Sequence, residues 1–217
     1  MNSTPSKMSY EGLSVAESSS NSKTDALISD FVKIYDQIIP EEVCDEMVNY
    51  LENSDKNFID HDYLRRNERA LFPNQNPELY NKVVNVIRNV YQKYKQDIGP
   101  VSSNLYPANH LEYPMIACYK PNPERKEQFS DHADAWHLDS CSRQISIIIY
   151  LGDVEEGGCT TFTYFDKKVK PVKGRILIFP SNFMYMHRAE PPISNPKYVC
   201  ICWIHFDGKT TYASLKI

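Results

Sequence analysis

The chain has 217 residues, with 24 Lys and Arg against 28 Asp and Glu, a formal net charge of −4. That length suits one sizeable folded unit with a short extension. The acidic balance gives no general attraction for nucleic acid or an anionic membrane, and the longest apolar run, residues 145–151, is far too short to cross a bilayer. Only seven residues are glycine, about half the usual share, which argues against a glycine-rich phosphate cradle.

Residues 1–24 hold eight serines and no apolar periodicity, and are expected to be a disordered tail. Residues 25–39 read as a strand or short helix leading to a turn. A helix is predicted from Pro40: proline suits the first turn, Glu41 and Glu42 suit the positive end of the dipole, and Val43, Met47, Tyr50 and Leu51 recur at helical spacing. The polar stretch 53–72 reads as loop and strand, with Arg65, Arg66 and Arg69 as a solvated basic segment. A second helix is predicted over 76–97, with Leu79, Val83, Val86, Ile87, Val90 and Tyr94 on one face and Gly99-Pro100 ending it. From 111 onward, short apolar runs alternate with turn residues, predicting strands at 114–120, 144–151, 160–165, 175–179 and 198–206. The order implies an α+β chain dominated by a β-sandwich or jelly roll, with the helices buttressing one sheet.

Six cysteines are present, but no pair has CxxC spacing and no basic-then-apolar leader precedes them. Reduced thiols packed as small hydrophobes in an intracellular, cytoplasmic protein are expected.

The residues with the most chemistry are histidines beside carboxylates. His132-Ala133-Asp134 places an imidazole and a carboxylate two apart, on the same side of an extended segment. His187, 53 residues after Asp134, is the candidate third ligand. Two imidazoles and a carboxylate on one face leave three open positions on an octahedral metal, the arrangement of non-haem Fe(II) oxygenases. His137-Leu138-Asp139 is a second match to the same pattern, and either alone is weak.

The ordered context is more specific. The runs YLGDVEEGGCTTF and VKPVKGRILIFPS, then His187, then KYVCICWIHF, together resemble the prolyl 4-hydroxylase branch of the 2-oxoglutarate- and Fe(II)-dependent dioxygenases over about residues 111–207. The resemblance implies a double-stranded β-helix (jelly roll) core at about 111–207, helical support at about 25–110, and a single dioxygenase domain over 25–217. It implies that His132, Asp134 and His187 hold Fe(II). Arg143 follows Asp134 by nine residues, as in the family, and Asp139 by only four, so His137 and Asp139 fall to a solvated loop. Lys197, ten residues after His187, matches the base that pairs with the distal carboxylate of 2-oxoglutarate. Tyr119, Tyr150 and Thr160 match positions around the same carboxylate, and Arg143 and Trp203 match positions near the prime substrate. Cys159 departs from the pattern, standing where the family commonly has an acidic residue. Asp134 itself disfavours halogenation, since related halogenases have a small residue there.

The implied reaction is 2-oxoglutarate-dependent hydroxylation with O2, giving succinate and CO2, with ascorbate as a reductant. The implied substrate is a prolyl residue of a peptide or protein. Hydroxylation of a free amino acid or other small metabolite is the alternative within enzymes, and a non-catalytic jelly-roll binding module the alternative outside them. Nucleic-acid demethylation is disfavoured by the net charge. No membrane partner is expected, and neither the oligomeric state nor the role of the serine-rich segment is specified.

Overall fold

A computed structural model describes residues 27–105, 110–206 and 215–216; the serine-rich segment lies outside the described residues. A 3-10 turn at Ile28–Phe31 leads into β1 (Lys33–Tyr35). Helix α1 is Glu41–Glu52, opening directly after Pro40 with two carboxylates in its first turn. A hairpin follows, β2 (Asn57–Asp60) and β3 (Arg65–Ala70). Helix α2 is Pro77–Asp97; the Asn76 side chain accepts the Leu79 amide at 3.2 Å, and Pro77 fills a first-turn position where no N–H is needed.

The β region comprises β4 (His110–Leu111), β5 (Met115–Tyr119), β6 (Phe129–His132), β7 (Arg143–Tyr150), β8 (Thr160–Phe162), β9 (Lys167–Val169), β10 (Ile176–Pro180), β11 (His187–Ala189), β12 (Lys197–His205) and β13 (Leu215–Lys216). The major sheet runs β1-β10-β7-β12-β5-β3-β2, with β4 joining β12 and β13. The minor sheet runs β6-β11-β8-β9. All pairings are antiparallel. The fold is α+β: two sheets face each other, and two helices cover the outer face of the larger one.

Strand alternation explains why the central strands read as continuous apolar runs. In β7, Ile145, Ile147 and Ile149 join the helix-side core with Cys200, Cys202 and Ile204 of β12. Met47 and Leu51 of α1 and Val83, Ile87 and Val90 of α2 complete that core. The alternate positions, Ile148 and Tyr150 of β7 and Val199 and Ile201 of β12, pack toward the minor sheet against Phe162, Val169 and Tyr185. Both faces are buried, so every position must be apolar unless it has a task. Ser146 and Lys197 are polar residues on the inward face of these two strands, and both are buried.

The six cysteines are free, and Cys44, Cys118, Cys200 and Cys202 are buried among apolar side chains, as expected from their setting. Gly157, Gly158 and Gly174 have φ of +77°, +70° and +78°. At Gly157 a Cβ would lie 2.6 Å from the Pro191 carbonyl oxygen, so the turn before β8 needs a residue without a side chain. No helix among the described residues is long and apolar enough to cross a membrane.

Candidate active site

The mouth between the two sheets brings three ligand-type side chains together. His132 ends β6, His187 opens β11, and these residues are direct partners across the β6–β11 pairing. Asp134 follows β6 by two residues, in a bend. One potential ligand atom from each of the three lies within 4.8 Å of the others; Asp134 is 3.7 Å from His132 Nε2 and 3.9 Å from His187 Nε2.

The surroundings orient these groups as ligands. His132 Nδ1 donates to the Ser130 carbonyl at 2.7 Å, and His187 Nδ1 donates to the Tyr185 carbonyl at 3.0 Å. A carbonyl can only accept, so each Nδ1 is committed as a donor and each Nε2 is the ring nitrogen left toward Asp134. Burial and the neighbouring His187 hold His132 down at about 4, so its imidazole is neutral at physiological pH. Burial opposes charge on Asp134, but His187, His132 and the Ser146 hydroxyl outweigh it and keep the carboxyl below its ordinary range. Ser146 donates to Asp134 at 2.5 Å and, its proton being committed, accepts from Ser181 at 2.8 Å. This donor set fits a divalent iron site: two imidazoles, an ionised carboxylate, and outer hydrogen bonds on all three. Ser146→Ala is expected to weaken iron binding about 10- to 100-fold with little change in fold, as read by metal titration.

Behind the three ligands lies a narrow pocket lined by Tyr119, Thr160 and Lys197, among others. Lys197 is 1% exposed, and among the described residues no carboxylate pairs with it. Burial pulls its ammonium down to about 7. Tyr119 accepts from Arg66 at 2.6 Å, so its own proton is free to point into the pocket. Thr160 accepts from Tyr150 at 2.8 Å, which frees the Thr160 proton in the same way. Lysine, tyrosine and threonine therefore all present donors to one cavity, a lining matched to a carboxylate. Tyr150 stands one layer back: it is fully buried and acts on the pocket through Thr160.

A wider cleft of about 420 Å³ opens in front of the triad. Trp203 and Arg143 line it, with the Arg143 guanidinium 3.7 Å from the Trp203 ring centroid. Arg143 donates to both oxygens of Glu112, at 2.8 and 3.0 Å, and to the Asp134 carbonyl at 3.3 Å. Glu112 also accepts from His205 at 2.6 Å. The Trp203 indole N–H is buried with no partner among the described residues.

One expectation needs correction. Arg65, Arg66 and Arg69 do not form a solvated stretch. They sit on β3, where alternation sends Arg66 inward with Glu68 and Arg69 toward α1. Arg66 is 5% exposed and lines both the pocket and the cleft. Arg69 lies over the Tyr50 ring, and Arg65 pairs with Asp60 at 2.7 Å. A polar strand facing a polar cavity is indistinguishable in sequence from one facing water. Glu112, Ser146 and His205 are not singled out in the sequence: each is one polar residue next to apolar neighbours, and only packing shows that it meets a site group. His137 and Asp139 are exposed in the turn after Asp134, as expected.

Comparison with known proteins agrees with this geometry. Residues 114–205 match the model of the 2OG-Fe(II) oxygenase superfamily. Residues 114–205 thus carry a 2OG-Fe(II) oxygenase domain. That match implies Fe(II), 2-oxoglutarate and O2 as the domain family's chemistry. The oxygenase fold is similar to that of a viral collagen prolyl hydroxylase from Paramecium Bursaria Chlorella virus-1 solved with 2OG. That match has 19% identity, covers 82% of this chain and 97% of the other, and has TM-score 0.59. It is also similar to a Pseudomonas putida prolyl-4-hydroxylase, at 14% identity, 83% and 95% coverage and TM-score 0.64. A Trichoplax adhaerens prolyl hydroxylase, in complex with a hypoxia inducible factor peptide fragment, matches at 14% identity, 82% and 84% coverage and TM-score 0.62. No curated protein sequence matches the oxygenase.

Proposed function

We propose that this oxygenase is a prolyl 4-hydroxylase acting on prolyl residues of a peptide or protein, within one domain spanning 25–217. His132, Asp134 and His187 would hold Fe(II). When bound, the metal with 2-oxoglutarate and O2 supplies the oxidising chemistry that hydroxylates a C–H bond and yields succinate and CO2. The chain's own residues bind, orient and exclude water. Lys197 pairs with the distal carboxylate of 2-oxoglutarate, with the Tyr119 and Thr160 hydroxyls donating into the same pocket. Ile148, Val199 and Ile201 line that pocket with apolar surface and keep it dry.

The observation that carries this reading is Lys197. A buried ammonium without a counter-ion is costly, and it is tolerated where a ligand supplies the anion. Its position behind a two-histidine, one-carboxylate cluster is what a keto acid with a distal carboxylate requires.

The cleft supports a chain-like substrate over a free amino acid. It shares Glu68, Ala70, Phe72 and Met115 with a neighbouring depression on one side, and Trp136 and Arg143 with another on the other side. His132 and Asp134 of the triad line the central one of these adjoining depressions. Trp203, lying against Arg143, lines this cleft, and its buried indole N–H is unpaired among the described residues. The test is incubation of the protein with Fe(II), 2-oxoglutarate, ascorbate and proline-containing peptides. Succinate release with a gain of one oxygen on proline, by mass spectrometry, is expected. Succinate release that no peptide raises above the uncoupled rate favours a small-metabolite substrate. Failure to bind Fe(II) revives a non-catalytic module.

A further inference from the structure

Arg66 is the one buried cation at the site that the proposed function leaves without a task. It stands between two compartments, lining both the inner pocket and the outer cleft. Its Nε and Nη2 reach Glu68 Oε2 at 2.8 and 2.7 Å, and its Nη1 reaches the Tyr119 hydroxyl at 2.6 Å. Two cations lie near the Tyr119 ring: the Arg66 guanidinium carbon 5.6 Å from its centroid and Lys197 Nζ 5.4 Å. Arg66 also lies 5.7 Å from the centroid of Phe129, whose ring stacks on His132 at 3.5 Å.

Guanidinium N–H groups only donate, so the Arg66 contact fixes the polarity of Tyr119. The phenol oxygen must accept from Arg66. Its own proton has no acceptor among the described residues, and burial keeps the phenol protonated despite Arg66. The remaining direction for that proton is the pocket. Glu68 balances the guanidinium charge, so Arg66 adds direction more than net charge.

We propose that Arg66 is a positioning residue for 2-oxoglutarate: it holds the Tyr119 hydroxyl as a donor to the cosubstrate. The inference rests on the reading of the inner pocket as the 2-oxoglutarate site. Without Arg66 the phenol is free to rotate and to present a lone pair, which repels a carboxylate.

The test is anaerobic calorimetric titration of 2-oxoglutarate into the Fe(II)-loaded protein, with KM and kcat measured in parallel. Arg66→Met is expected to weaken 2-oxoglutarate binding about 10-fold and to raise its KM correspondingly, with kcat at saturating cosubstrate within roughly threefold of wild type. Arg66→Lys keeps the charge beside Glu68 but not the fork that reaches Glu68 and Tyr119 together, so it is expected to be folded and similarly weakened. Tyr119→Phe is expected to cost about 10-fold in the wild type and less than about twofold beside Arg66→Met, because the two substitutions remove one shared contact. Three results would overturn the assignment: unchanged affinity in Arg66→Met, full affinity in Arg66→Lys, or an undiminished effect of Tyr119→Phe beside Arg66→Met. Wild-type protein that binds no 2-oxoglutarate sinks the pocket reading itself, whereas binding that ignores Arg66 sinks only this role.

Discussion

Lys197→Met is expected to abolish useful 2-oxoglutarate binding while making the ligand-free protein more stable. Both effects come from one buried ammonium. In the ligand-free pocket, burial lowers Lys197 from 10.5 to about 7. The unfolded chain therefore binds a proton between those values that the folded chain does not, and stability falls as pH drops from about 10.5 toward 7. Methionine fills similar space without the charge. The variant should gain on the order of a few kcal/mol at neutral pH, with the gain shrinking as pH rises toward 10.5. Thermal unfolding at several pH values reads this directly. Losing the partner of a buried carboxylate should weaken 2-oxoglutarate about 10²- to 10³-fold. A variant that binds 2-oxoglutarate like wild type refutes the pairing.

The same shift sets a pH dependence for the wild type. A bound dicarboxylate favours the charged lysine, so binding above pH 7 takes up a proton. The dissociation constant should rise by up to about tenfold per pH unit above 7. Titration calorimetry in buffers of different ionisation enthalpy should show proton uptake at pH 8 and little at pH 6.

His187→Ala is expected to reduce succinate formation to the level of Fe(II) and 2-oxoglutarate without protein. The three ligands occupy one face, and removing His187 leaves two, 3.7 Å apart at the end of β6. His187 is buried, and its pairing partners in β6 and β8 hold the backbone regardless of its side chain. The variant should therefore fold, and its thermal transition should no longer rise on addition of Fe(II). Asp134→Asn offers a second check. It keeps the shape but removes the negative charge that both imidazoles face, and a carboxamide is a far poorer iron ligand. Full succinate release in the His187 variant refutes the metal assignment.

The sequence determined much of this protein by local physics. Helices α1 and α2 follow from Pro40, the Asn76 cap and apolar spacing. The central strands follow from apolar runs between turn residues, and the order of those motifs carried the family. Even so, β6, β9 and β11 were not legible as strands, because they are three or four residues long and largely polar. Tertiary structure alone decided the rest. Pairing β6 with β11 placed His132 opposite His187 across 55 residues of chain, a register no local pattern specifies. Strand direction decided that Tyr150 acts through Thr160 and that Arg66, polar among polar neighbours, turns inward rather than to water. Sequence records which side chains can do chemistry; only packing decides which of them lose their solvent, as Lys197 and Arg66 do.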